Sequence, residues 1–530
     1  MQGGFWFNVI FWGFIVFYLV VTFYLGKKMP SLGDFYNMNQ GAGPFLVAGT
    51  YSATWISAFG MIGVAGTSYS IAPLAGILMW GAMVGYVITG FWIGPRLRRF
   101  GQVTLGDFFG DRFDSDALRL VSSIIVIVGL ATYFVTQTMG SAIVTNMIFG
   151  IDYNVMVVVM TIIFVIIAAT SGSQSVTITD TIMAAVIAGA LGCIFAPTLL
   201  AEIGIDKISA YAANNPVYFT SGGGKVAFST IVGWQIIWAL GNASMPQAVT
   251  RVYLARSNAD WFKSILMALM LTLSVVWLTH FASGMVRIVN PDLPGNQSLL
   301  WASKNLVPEW IGALAAAGLF AAALSSATTQ VLYLAFAVTR DIYEKLMVKN
   351  NADKISDATL MRMNRIWIII FGIVGAVLAI VQPASLVEFG NLAASIFAAS
   401  FFPPLLLGLF WRNCTKEGAM AGMIIGFVII LVLNYSAIVI GLPFGNYSWL
   451  PWGLHPIYWG ASASFLAVFI ASSMTKTTPK QLEVFKLVST PGAADKMTAR
   501  DKASLKNWIY ITIGYLILQT AVIFWLASKV

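Results

Sequence analysis

Residues 53–66 read ATWISAFGMIGVAG, an apolar run in which three glycines recur every third residue, at positions 60, 63 and 66. The run lies inside a longer apolar stretch, residues 45–70, that can cross about 30 Å of hydrocarbon as a helix. In a bilayer, unwound backbone is tolerated only where it lines a cavity or is covered by protein. The stretch therefore predicts either a helix broken at a binding site or a helix packed closely through its small residues.

A second stretch has the same character. Residues 238–246 read WALGNASMP, in which proline removes a backbone donor while Gly and Asn tolerate unusual backbone angles. A simple kink is the alternative interpretation. Because this stretch lies five predicted helices after the first, the pair indicates an inverted repeat of five helices, covering residues 45–202 and 226–411.

The composition places the chain in a membrane. Of the 530 residues, 58% are apolar and 10% are charged, and the mean hydropathy is +0.81. A water-soluble core cannot bury so many apolar side chains at this length. Cys193 and Cys414 suggest neither a disulfide nor a thiolate metal site, and two histidines leave little room for catalysis. We predict an all-α membrane protein that is not an enzyme.

Fourteen apolar runs are long enough to span a bilayer, and together they form one transporter-sized domain over residues 1–530. Four of them lie outside the predicted repeats as peripheral helices, at 6–25, 417–439, 453–474 and 507–527. The other ten runs cover residues 45–70, 75–98, 117–148, 154–171, 176–200, 226–252, 262–288, 309–345, 363–381 and 386–411.

The basic residues predict the orientation, because Lys and Arg collect in cytoplasmic loops. With the N-terminus outside, most of the 30 lysines and arginines fall on the cytoplasmic side. The exceptions are Lys207, Lys225, Arg287, Lys304 and Lys529. We therefore expect a multi-pass protein of the plasma (inner) membrane with both termini outside. The net charge of +9 then reflects topology and does not indicate a nucleic-acid partner.

Two polar features inside the spans are candidates for ion binding. Asp180 lies within the sixth span, where a carboxylate is expensive unless it faces water or a partner. The ninth span carries the densest hydroxyl cluster, with Ser325, Ser326 and Thr329 on one helical face with Ala322, and Thr328 beside them. Such hydroxyls either bond back to a carbonyl one turn earlier, or join carbonyls of an unwound neighbour in replacing the water shell of Na⁺.

Several motifs resemble the sodium/solute symporter family, which includes sugar, proline, pantothenate, acetate and iodide transporters. The similarity is closest to the proline and pantothenate branches and implies fourteen helices with a LeuT-type core of 5+5 helices. It also implies uptake of a small solute coupled to Na⁺ by alternating access. The matching stretches are 53–57 continuing to 66, TLGDFFGDRF at 104–113, MPQAVTR at 245–251, SSATTQ at 325–330, TRDIY at 339–343, GLFW at 408–411 and GAMAG at 418–422.

The resemblance also implies ligands for the coupling ion. The principal Na⁺ site of the family corresponds here to Ala53, Ile56, Ala322, Ser325 and Ser326. Members with a second Na⁺ site use residues that match Asp180, Thr328 and Thr329. Because these threonines offer oxygens but no positive charge, we infer that a second Na⁺ pairs with Asp180 during part of the cycle.

The expected solute is a small carboxylate, amino acid or vitamin-like anion. Sugar-binding relatives carry polar residues where Gly60, Met79 and Trp238 stand, and the proline branch carries an acid where Trp55 stands. We expect solute contacts from Thr54, Trp55, Gly60, Tyr133, Trp238, Asn242, Pro246, Gln247 and Gln330.

Three other interpretations stay open. A sugar or polyol symporter would need polar groups in the pocket that this chain replaces. A transporter-like sensor would need a separate signalling partner. A channel-like or proton-coupled carrier would titrate Asp180 and leave the serines structural.

Overall fold

The computed structural model describes residues 4–26, 32–74, 80–220, 222–349, 355–382, 385–442, 446–492 and 495–527. Within these ranges the ordered backbone is helical, and a single isolated β-bridge joins Ala42 to Ala255. The predicted all-α class is confirmed.

The α-helices are numbered in chain order. The first half of the chain contains α1 Phe5–Gly26, α2 Leu32–Asn37, α3 Pro44–Trp55, α4 Ala65–Ser70, α5 Trp80–Val87, α6 Gly94–Phe100, α7 Leu105–Arg112, α8 Asp116–Phe149, α9 Tyr153–Ile187, α10 Ala196–Ile203, α11 Ile205–Asn214, α12 Phe228–Asn242 and α13 Pro246–Val249. The second half contains α14 Asn258–Met285, α15 Ser298–Asn305, α16 Glu309–Phe336, α17 Asp357–Val381, α18 Leu386–Ser400, α19 Phe402–Phe410, α20 Lys416–Val439, α21 Pro456–Met474, α22 Pro479–Ser489 and α23 Ala499–Ala527.

Ten helical stretches in the described ranges are long and apolar enough to cross a membrane. The number becomes eleven if the bent pair Pro44–Trp55 and Phe59–Ser70 counts as one span. Helix α9 contributes to two of the stretches because Gly172, with φ of 53°, interrupts it between the predicted fifth and sixth spans. The chain is therefore an integral membrane protein.

The remaining predicted spans are divided or only partly described. The run at 75–98 begins outside the described residues and continues as α5, a π-helical segment Ile88–Ile93 and α6. The run at 226–252 forms α12, which ends at Asn242. The count of fourteen and the repeats over 45–202 and 226–411 stay predictions.

Helix α16 lies at the centre of the protein. Nearly all of its residues are buried, and it packs against α1, α8 and α9. Alanines at 321–323 let neighbouring backbones approach closely, which suits a helix surrounded by others in a membrane. Helix α3 packs on α9 and α14 and also contacts α16. The broken span and the hydroxyl cluster are thereby brought together.

A cluster of charges lies at the predicted cytoplasmic end. Asp107 of α7 is fully buried and forms ion pairs with Arg119 at 2.8 Å and Arg340 at 3.5 Å. Burial alone would raise the pKa of Asp107, but the two guanidinium groups outweigh burial and hold this pKa below its ordinary value. The cluster joins α7 and α8 to Arg340 in the π-helical segment Ala337–Val348, which follows α16.

We expect Asp107→Asn to lower the melting temperature of the detergent-solubilised protein, because Arg119 and Arg340 lose their shared buried carboxylate and keep only Asp111 and Glu344 as partners. Asp116→Asn is the matched control, since Asp116 pairs with Lys349 on the surface and such pairs contribute about 0–1 kcal/mol. The difference should disappear as the pH falls through the lowered pKa of Asp107. Equal shifts for the two variants would contradict the assignment.

Candidate functional site

The second predicted span is interrupted just after Trp55. Helix α3 ends there, and Ile56 leaves helical geometry with φ −79° and ψ 80°. The chain then resumes as a π-helical segment, Phe59–Val64, followed by α4, and the two halves are inclined by 51°.

Two glycines of this span allow close helix packing, the other structure that the sequence predicted for it. A Cβ at Gly66 would lie 2.7 Å from the backbone nitrogen of Asn296, and one at Gly63 would lie 2.7 Å from the side chain of Leu386. These separations are too short for a side chain. The span is therefore broken at residues 56–58 and closely packed beyond the break.

The interruption deprives two carbonyl groups of their usual donors. In a regular helix the carbonyl of Ala53 would accept from the amide of Ser57, and that of Thr54 from the amide of Ala58. Here Ser57 N donates to the carbonyl of Trp55 at 2.9 Å. Ala58 N donates instead to Gln137 Oε1 of α8, also at 2.9 Å. The carbonyl oxygens of Ala53 and Thr54 are thus free to accept from other groups.

Two serines of α16 reach these carbonyl oxygens. Ser325 Oγ donates to the carbonyl of Ala53 at 2.9 Å and lies 3.3 Å from the carbonyl of Ala322. Ser326 Oγ lies 3.2 Å from the carbonyl of Thr54 and 3.4 Å from that of Ala53. Both side chains are fully buried. Four of the five residues matched to the principal Na⁺ site therefore form one cluster, and Ile56 stands at the break beside it.

Gln137 was not singled out from the sequence, although an amide in the middle of a long apolar helix was a signal.

We expect Gln137→Leu to raise the Na⁺ concentration for half-maximal uptake about tenfold, because Ala58 N would then be free to bond the carbonyl of Thr54 and close the helix. Thr132→Val on the same helix is the control, since its hydroxyl only bonds back to Val128. Unchanged Na⁺ dependence in Gln137→Leu would contradict this role.

Asp180 lies in a separate polar cluster. Its Oδ2 accepts from Thr50 Oγ1 at 2.7 Å and from Thr329 Oγ1 at 3.3 Å, and the carboxylate is fully buried. The third residue matched to a second Na⁺ site does not bond to it: Thr328 donates back along its own helix, to the carbonyls of Leu324 and Ser325. The fold therefore brings Asp180 and Thr329 together, whereas the hydroxyl of Thr328 bonds only within α16.

The premise that no positive charge faces Asp180 is wrong. Arg251, which follows α13, places Nη2 3.4 Å from Asp180 Oδ2. The same nitrogen donates to Thr329 Oγ1 at 2.8 Å. The sequence shows Arg251 in the quoted motif at 245–251, but its spacing from Asp180 gives no indication of the contact. The buried carboxylate therefore has a compensating charge from the chain itself.

A small cavity lies at the break, next to the serine and carbonyl cluster. Five of its lining residues belong to the set predicted to contact solute. The lining consists of Thr54, Trp55, Tyr133, Trp238, Met245, Gln247 and Ala248.

The aromatic walls of this cavity are fixed by hydrogen bonds and ring contacts. Trp238 Nε1 donates to Asn391 Oδ1 at 3.0 Å, and its ring stacks on Phe59 with centroids 4.6 Å apart. Trp55 Nε1 donates to Asn242 Oδ1. The two indole rings meet edge to face at 5.2 Å, an arrangement that favours a rigid wall.

Four of the residues predicted to bind solute do not line the cavity. The carbonyl of Gly60 accepts from His280 Nε2 at 2.8 Å, and Asn242 holds the indole of Trp55. Pro246 begins α13, and Gln330 is fully buried with its amide group unpartnered among the described residues. Met79 lies outside the described residues.

In this architecture a broken apolar helix packs against a hydroxyl-bearing one and brings carbonyls and serine hydroxyls together beside a small cavity. The family model of the sodium:solute symporter family matches residues 35–426. The chain therefore belongs to the sodium:solute symporter family, as its motifs predicted.

Similar proteins agree with this assignment. The chain is 24% identical to the osmoregulated proline transporter OpuE of Bacillus subtilis (strain 168), over 86% of this chain and 92% of that protein. It is 25% identical to the high-affinity proline transporter PutP of the same organism, over 85% and 94% of the two chains. The predicted similarity to the proline branch is confirmed.

Solved structures share the fold. A Na⁺-coupled sialic acid symporter in a substrate-bound, outward-open state superposes with a TM-score of 0.76 at 18% identity, covering 90% of this chain and 99% of that one. Mhp1, a nucleobase-cation-symport-1 family transporter, superposes with a TM-score of 0.50 at 14% identity over 87% and 99% of the chains. The superpositions show a shared fold, and the family match places the chain among the sodium:solute symporters.

Proposed function

We propose that this protein is a Na⁺-coupled symporter that takes up a small amino or imino acid, with proline as the first solute to test. The observation that supports this most directly concerns Thr54. Its carbonyl accepts from Ser326 in the proposed ion site, and the same residue lines the cavity. An ion and a solute bound there would act on one turn of backbone, which is the physical requirement for coupling their movements.

The proposed ion site consists of oxygens suited to a hard cation. We assign to it the carbonyls of Ala53, Ile56 and Ala322 and the hydroxyls of Ser325 and Ser326. Ser325 Oγ lies 2.9 Å from the carbonyl of Ala53 and 3.3 Å from that of Ala322, and Ser326 Oγ lies 3.4 Å from the carbonyl of Ala53. Carbonyls freed at a helix break and nearby hydroxyls can replace the hydration shell of Na⁺.

The cavity favours a compact solute with a polar end. The free space inside it is only about 10 Å³, room for about one water molecule, so the site must widen to admit a solute and a compact solute needs the least widening. Indole and phenol rings form one side, and Gln247 Oε1 is buried without a donor among the described residues. That oxygen could accept from the ammonium or imino group of an amino acid, and a sugar would leave most of its hydroxyls unpaired. The similarity to proline transporters supports the same solute class.

The proposal includes the architecture predicted above. We propose fourteen spans arranged around two inverted repeats of five helices, with both termini outside. Two interrupted segments support it: α3 breaks at residues 56–58, and α12 ends at Asn242, before the turn that leads to α13. Cysteine labelling of positions near each terminus in intact cells and in inverted vesicles would test the orientation.

Uptake into proteoliposomes tests the function. We expect an inward Na⁺ gradient at fixed pH to drive concentrative uptake of radiolabelled proline, with no uptake when K⁺ replaces Na⁺. Glucose and pantothenate, supplied in excess, should compete far less than proline. Uptake driven by a proton gradient without Na⁺ would favour the proton-coupled alternative, and absence of any uptake across a panel of amino acids would overturn the proposal.

A further inference from the structure

A single nitrogen atom lies among polar oxygens from three helices. Arg251 Nη2 lies 2.8 Å from Thr329 Oγ1 of α16, 3.1 Å from Thr54 Oγ1 of α3 and 3.4 Å from Asp180 Oδ2 of α9. We call these three oxygens, together with Thr50 Oγ1, which donates to Asp180, the oxygen cage. All of these side chains are buried.

The oxygen cage has the composition of a cation site, with one carboxylate and three hydroxyls. A carboxylate buried among helices needs a cation nearby, because water cannot compensate its charge. Arginine carries a permanent positive charge at the end of a long side chain, so Arg251 can supply that cation without leaving the protein. A Na⁺ ion sharing the same carboxylate oxygen would be repelled by the guanidinium group.

We infer that Arg251 is a tethered cation that occupies the place of a second sodium ion, so that the transporter moves one Na⁺ per solute. This inference rests on the proposed function, because it concerns the stoichiometry of Na⁺-coupled uptake. The principal site at Ser325 and Ser326 is then the binding site of the transported ion. Asp180 and Thr329 hold the segment that carries Arg251 against α3 and α16.

The geometry of the ion pair indicates that charge matters here more than shape. The ion pair joins Nη2 to Oδ2 at 3.4 Å, which is long for a charged hydrogen bond. Asp180 Oδ1 and Arg251 Nε have no partners among the described residues. A lysine at position 251 should therefore serve as well as arginine, whereas a neutral side chain should leave the cage open to Na⁺.

The charge moved per solute in proteoliposomes tests the inference. With proline, which is zwitterionic, this ratio equals the number of Na⁺ ions. We expect a ratio of one and a hyperbolic Na⁺ dependence for the unmodified protein and for Arg251→Lys. Arg251→Gln should raise the ratio to two and make the Na⁺ dependence sigmoidal. Adding Asp180→Asn to Arg251→Gln should restore a ratio of one.

Controls keep the outcomes distinct. Arg112→Gln removes another buried arginine, whose guanidinium donates to the carbonyls of Gly408 and Gln481, and should leave the ratio at one. A ratio of two in the unmodified protein overturns the inference even if Arg251→Gln is inactive. A ratio that stays at one in an active Arg251→Gln protein also overturns it. Uptake that does not depend on Na⁺ in the unmodified protein would instead overturn the proposed function.

Discussion

Replacing Ser326 with alanine should raise the Na⁺ concentration for half-maximal uptake at least about tenfold, equivalent to about 1.4 kcal/mol of lost binding. The hydroxyl of Ser326 bridges the carbonyls of Ala53 and Thr54, both of which lost their helical donors at the break. Its removal takes one oxygen from a proposed site of five. The half-saturating solute concentration, measured at saturating Na⁺, should change much less.

Thr328→Val is the matched control for Ser326→Ala. Thr328 lies on the same buried helix, but its hydroxyl bonds back to the carbonyls of Leu324 and Ser325. The variant removes a hydroxyl from α16 without removing a proposed ligand of the principal Na⁺ site, and its Na⁺ dependence should stay close to that of the unmodified protein. If both variants shift the Na⁺ dependence equally, or neither does, the ion site has been placed wrongly.

Trp238→Ala should raise the solute concentration for half-maximal uptake about thirtyfold, equivalent to about 2 kcal/mol. The indole forms a wall of the cavity and stacks on Phe59. Removing it takes away a flat apolar surface and enlarges a small cavity, so the ligand body loses contact on one side. The half-saturating Na⁺ concentration should rise less, because Trp238 contributes no proposed ion ligand.

Trp261→Ala provides the comparison for Trp238→Ala. Trp261 is also fully buried, and its Nε1 donates to the carbonyl of Gly90, away from the cavity. Its loss should reduce the amount of folded protein without selectively weakening solute binding. Binding of labelled solute to purified protein separates these effects, and a similar loss of affinity in both variants would count against Trp238 as a wall of the solute site.

The features predicted successfully from sequence are those that local composition determines. Apolar run length indicated a membrane protein, and the quoted motifs indicated the family. The three glycines in the stretch at 53–66 predicted either an interruption or close helix packing, and the span shows both. The spacing of Ser325, Ser326 and Ala322 indicated a shared face because helical periodicity fixes it.

The features that sequence could not show depend on contacts between distant segments. Gln137 meets the amide of Ala58 only because α8 packs beside the break, 79 residues along the chain. Arg251 reaches Asp180 across 71 residues, and without that contact the carboxylate looked uncompensated. Hydropathy also could not predict where helices begin and end inside a span made of several short segments, such as the span containing α5 and α6.

The hydrogen bonds between Ser325, Ser326 and the carbonyls at the break have a consequence for ion binding. The hydroxyls of Ser325 and Ser326 both donate to the carbonyl of Ala53, which is proposed to bind Na⁺. When the ion enters, each hydroxyl must rotate to offer a lone pair, and the carbonyl of Ala322 is near enough to take the hydrogen of Ser325. The oxygens proposed to hold the ion are thus the same oxygens that fasten α3 to α16. Binding at this site must rearrange the contact between the two helices, so the affinity for the ion and the packing of α3 on α16 cannot be altered independently.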